Sequence, residues 1–62
     1  MKITINFRDH NRAKKIINDV FRTEQIYNPL YQNECLYITE ATTTVYTHTF
    51  IVKDIEQIEV DL

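Results

Sequence analysis

Sixty-two residues, 44% hydrophobic and 26% charged, have the balance of a single folded domain, one so small that it buries only about 60% of the surface its unfolded chain exposes. A single cysteine excludes an internal disulfide framework, no Cys-x-x-Cys pair offers a usual zinc site, and the lack of any glycine excludes the phosphate-cradling loops of Walker and dinucleotide type, whose backbone must approach its ligand without a Cβ. The net charge of −2 conceals an asymmetry: the first 22 residues hold six of the seven Lys and Arg but two of the nine Asp and Glu, so two opposite fields are on offer and a charged partner meets one of them.

In chain order, Met1–Phe7 alternates Ile3, Ile5 and Phe7 with Lys2, Thr4 and Asn6, the pattern of a half-buried strand. Asp9 and Asn11 are candidate helix caps ahead of Ala13, Ile16, Ile17, Val20 and Phe21, whose spacing predicts an amphipathic helix ending near Thr23 or Glu24. Gln25–Glu34 reads as a loop around Asn28-Pro29. Cys35–Thr39 and Thr43–Val52 are β-branched and aromatic, which predicts a hairpin. Its turn, without Gly, Asn or Asp, calls for a wide loop. Ile55, Ile58, Val60 and Leu62, interleaved with Glu59 and Asp61, give a last strand. The expectation is an α+β fold: one two-layer domain over residues 1–62, order β-α-β-β-β, with the helix laid on an antiparallel sheet.

On that helix, Arg12, Lys14, Lys15 and Arg22 occupy the exposed face, and the first three oppose the helix dipole. With Arg8 they read as a patch for an anionic surface; the alternative is a solvated face of weak ion pairs. Tyr27 and Tyr31 in the loop are candidate contact residues, because tyrosine provides large contact area at small entropic cost. The acidic stretch reads either as a mimic of DNA or as edge-strand charge that suppresses aggregation. Cys35 and His48 face each other only if hairpin partners sum to 83, with Ala41-Thr42 as the turn; with His10 or a carboxylate nearby they are then candidates for a zinc site or a Cys–His nucleophile pair. No ligand spacing supports a metal, no catalytic constellation supports an enzyme, and no cofactor is expected.

The opening Met1-Lys2-Ile3-Thr4-Ile5-Asn6-Phe7 and the closing Phe50–Val60 segment (FIVKDIEQIEV) resemble small accessory proteins of bacteriophages and mobile elements of low-GC Gram-positive bacteria. The resemblance implies a class whose members bind and block a host enzyme, a CRISPR nuclease or another defence component. It transfers no site residues.

The expected function is therefore that of a non-enzymatic binding protein, an inhibitor of anti-CRISPR type acting on a host or defence protein through Arg8, Arg12, Lys14, Lys15, Arg22, Tyr27 and Tyr31. Two rivals stand beside it: a nucleic-acid-binding regulator that uses the basic helix, and a structural phage subunit that forms homodimers or larger homo-oligomers through complementary halves. No apolar run reaches the roughly 18 residues of a membrane span, and no signal-type stretch opens the chain, so a cytoplasmic protein without membrane contact is expected.

Overall fold

The computed structural model describes all residues, Met1–Leu62, and contains no α-helix; 66% of the chain is strand. Six strands, β1 (Lys2–Phe7), β2 (Lys15–Ile17), β3 (Val20–Asn28), β4 (Asn33–Ala41), β5 (Val45–Ile51) and β6 (Ile55–Asp61), form two antiparallel sheets, β2-β1-β6 and β3-β4-β5. The expected α+β architecture is thus replaced by an all-β one. A single 3-10 turn, Val52–Asp54, leads from the second sheet into β6. No helix is long and apolar enough to cross a membrane.

The segment expected to be helical supplies the correction. It becomes β2, a two-residue corner at Asn18-Asp19, and the first part of β3. Ile16-Ile17 and Val20-Phe21 satisfy a helical stripe, but as two apolar doublets they equally fit two strand ends joined by a corner. Local preference favours the second arrangement. From Ile16 to Tyr27, five β-branched residues, two aromatics, Asn18 and Asp19 all lose to Ala or Leu in a helix. Asp19 takes φ 56°, the left-handed region that Asp and Asn tolerate best after glycine, and so turns the chain from one sheet to the other. The corner is tied at both ends: Val20 N–H donates to the Met1 carbonyl at 2.9 Å, and Ala41 N–H to that of Asp19 at 3.1 Å.

Directly paired residues share a face of a sheet, so register defines the core. In the first sheet Ile3 lies opposite Ile17 and Val60, Ile5 opposite Lys15 and Ile58, and Phe7 opposite Ile55 after a bulge. In the second, Leu36 pairs with Gln25 and Phe50, and Ile38 with Thr23 and His48. Ile3, Ile5, Phe7, Ile17, Val20, Leu36, Ile38, Phe50 and Ile55 form one buried cluster between the sheets, and Phe7 meets Phe50 at 6.0 Å between ring centroids. β3 opens with a bulge in which Phe21 is the extra residue, turned out to 62% exposure. The expected loop at Gln25–Glu34 is the end of β3 and a hairpin tip, where Gln32 adopts φ 53°. The β4–β5 connection is a three-residue loop, Thr42–Thr44, longer than a tight two-residue turn but displaced from the expected one, since Glu40 and Ala41 belong to β4.

Candidate binding surface

The connection from β1 to β2 holds most of the basic residues, and it is a structured loop instead of the first turns of a helix, so no dipole opposes them. Asp9 organises it. Its carboxylate accepts the Asn11 N–H at 3.0 Å, and its carbonyl accepts the Arg12 N–H at 3.0 Å, a local turn of the kind Asp forms readily. Arg8 fastens the loop to the 3-10 turn, donating its N–H to the Asp54 carbonyl and its Nε–H to the Lys53 carbonyl, both at 2.9 Å. The Arg12 guanidinium lies over the Phe7 ring, 3.8 Å from its centroid, a contact worth about 0.5–1 kcal/mol at an exposed site. Arg12 therefore divides two adjacent hollows, one shared with Arg8 and Lys53 and the other with His10, Lys14 and Glu56.

Ion pairs engage Lys2 with Asp61 at 3.8 Å and Arg22 with Glu24 at 3.4 Å. Arg8, Arg12, Lys14, Lys15 and Lys53 have no carboxylate partner, and all five belong to this loop, to β2 beside it, or to the turn bound to it. Lys53 joins the group only through the Arg8 contacts, and nothing in the sequence marks it, since it stands alone among acids. Arg22 leaves the group. It pairs across the second sheet with Thr39, on the face opposite Leu36 and Ile38.

Tyr27 and Tyr31 are half-exposed at the β3–β4 tip, with Leu30 at 92% exposure between them. Asn28 builds this tip: its carboxamide oxygen accepts the Leu30 N–H at 2.9 Å, and its Nδ2 donates to the Tyr37 hydroxyl at 2.7 Å. Arg8 lines a groove with Gln25 and Leu36, and Gln25 is two residues before Tyr27 on the same face of β3. The basic loop and the tyrosine tip thus occupy one end of the molecule.

The Cys–His constellation does not assemble. Hairpin partners sum to 86, with Cys35 opposite Ile51 and Ile38 opposite His48, so the thiol and the imidazole lie on opposite faces of the sheet. Cys35 is fully buried and directs its thiol to the Asn33 carbonyl at 3.7 Å. His48 pairs instead with Glu40 at 2.8 Å, its ring between those of Tyr46 and Phe50. His10 contacts Glu56 at 3.2 Å in solvent. No group of three or more His, Cys, Asp or Glu is placed to hold a metal ion.

The acids do not form one surface either. Glu56, Glu59 and Asp61 on β6 are engaged by His10, Asn6 and Lys2 respectively, whereas Glu34 and Glu40 belong to the other sheet. No protein-family model matches the sequence, and comparison with curated proteins and with solved structures found no significant match.

Proposed function

We propose that this chain is a non-enzymatic binding protein that modulates a macromolecular partner, docking its basic loop and tyrosine tip on an acidic protein surface. The observation that carries the reading is the gathering of five unpaired cations, Arg8, Arg12, Lys14, Lys15 and Lys53, beside the exposed Tyr27, Leu30 and Tyr31. Unpaired cations at one corner raise the encounter rate with an anionic face, and desolvated tyrosines slow dissociation. A protein surface fits better than a phosphate backbone because Asp9, Asp54 and Glu56 are interspersed among the cations in the same hollows and would repel a continuous row of phosphates. The buried thiol and the two isolated His–Glu pairs supply no nucleophile with an adjacent base, which supports a binding role over catalysis. The resemblance of the chain ends supports a phage or mobile-element inhibitor of a host or defence protein, working in the host cytoplasm.

Affinity capture from a Gram-positive lysate, with and without nuclease, tests this directly. A partner retained after nuclease treatment, and lost with Arg12→Glu plus Lys14→Glu, is the expected result. With the isolated partner, that double variant slows association about tenfold and flattens the salt response, whereas Tyr31→Ala mainly raises the dissociation rate. Nuclease-sensitive capture with a steep log-linear salt dependence would assign the corner to nucleic acid.

A further inference from the structure

The first sheet ends in an unfinished edge. β6 pairs with β1 alone, and its residues Ile58 and Val60, opposite the buried Ile5 and Ile3, lie on the core-facing side yet remain 45% and 55% exposed. Beside Ile58 runs a groove floored by Leu36, Val52 and Ile55, closed across from β6 by Gln25 of β3 and lined also by Arg8 and Glu56. The opposite edge of the same sheet is guarded differently. There β2 is three residues long and places Lys15 on the core-facing side, opposite Ile5, the inward charge that discourages a further strand. β6 has seven residues, and its core-facing positions Ile58 and Val60 are apolar.

We propose that the β6 edge accepts an extended segment of another protein as a fourth strand of the first sheet, one whose apolar residues alternate with lysine or arginine. The apolar positions settle against Ile58, in the groove, and against the exposed Val60 beyond it. The basic positions fall on the outer face, where Glu59 and Asp61 lie, and opposite charges facing each other across strands stabilise the pairing. The acids argue against a second copy of this chain as the occupant. An antiparallel β6–β6 register that sets Ile58 opposite Val60 also sets Glu59 opposite Glu59, and a register centred on Ile58 sets Val60 opposite Glu56. Of the five unpaired cations only Arg8 lines this groove, and the proposal stands whether or not the basic loop binds an acidic protein.

The test is a titration of the isotope-labelled protein with a capped peptide of about seven residues, alternating lysine and valine to match β6, followed by amide chemical shifts. Saturable changes centred on Ile55–Leu62 and Gln25 are expected, with slower hydrogen exchange along β6. Replacing the peptide's lysines by glutamates weakens binding about tenfold, and replacing its valines by prolines at unchanged charge abolishes it, because proline cannot complete a ladder. In the protein, Val60→Lys abolishes binding and Glu59→Lys weakens it about tenfold, both at exposed positions that leave the fold intact by the same spectra. Equal binding of the proline peptide, shifts confined to β2, β3 or β5, no saturable binding, or sedimentation showing copies already paired through β6 would each overturn the proposal.

Discussion

Ile16 and Ile17 are neighbours in sequence with opposite fates: the first is 47% exposed, the second 1%. Val20 is buried and Phe21 exposed in the same way. A helix would bury all four in one stripe, whereas alternation in β2 and the bulge in β3 separate them. Ile17→Ala should therefore cost about 2–5 kcal/mol, a large part of the stability of so small a domain, while Ile16→Ala and Phe21→Ala stay within about 1 kcal/mol. Urea denaturation of the three variants measures the contrast, and equal losses at Ile17 and Phe21 would restore the helical stripe. Arg12 is a second residue with a measurable role of its own. Its contact with Phe7 at 3.8 Å should appear as about 0.5–1 kcal/mol of coupling in a double-mutant cycle of Arg12→Ala with Phe7→Leu.

At the scale of elements, the chain turns without glycine. Asp19 at the sheet-to-sheet corner and Gln32 at the β3–β4 tip carry the only positive φ angles, 56° and 53°. Gln32 has a Cβ where the backbone disfavours one, so Gln32→Gly should raise stability by about 0.5–1 kcal/mol after the greater flexibility of the unfolded chain is subtracted. A rise in the urea midpoint at unchanged slope checks this. These corners also explain what was legible in advance. β1, the β4–β5 hairpin and the last strand follow from alternation and β-branched composition, which survive any register. The β2–β3 segment was not legible because two apolar doublets separated by Asn18-Asp19 match both periods. The β-branched composition leans to strand, and the pairing of Ile3 with Ile17 and of Val20 with Glu40, a long-range fact, fixes it. The hairpin register was equally out of reach, since a three-residue loop in place of two moves Cys35 away from His48. Of the candidate site, Arg8, Arg12, Lys14 and Lys15 stay together because they are local in sequence, while Arg22 departs with β3 and Lys53 arrives through a contact 45 residues distant.

For the whole molecule, the decisive pairing is that of its first and last strands, in which Lys2 lies opposite Asp61. Closing that loop costs chain entropy before the contacts that reward it are made, so folding in milliseconds to seconds is expected, slow for this length. Stopped-flow refolding measures it, and a microsecond phase carrying the full amplitude would contradict the topology. Every other paired set of strands is consecutive in the chain: β1 with β2, β3 with β4, β4 with β5. The native order is thus a circular permutation of a plain meander, cut between β6 and β1. Joining Leu62 to Met1, which line the same hollow, and opening the chain at Lys53 would yield β6-β1-β2-β3-β4-β5, in which every strand pairs only with its sequence neighbours. Such a permutant should keep the two sheets and fold about tenfold faster or more, while losing some stability where the bonds of Arg8 to Lys53 and Asp54 are loosened. All strand pairings but one are local, and the pairing of β1 with β6 is the one that sets the expected folding time.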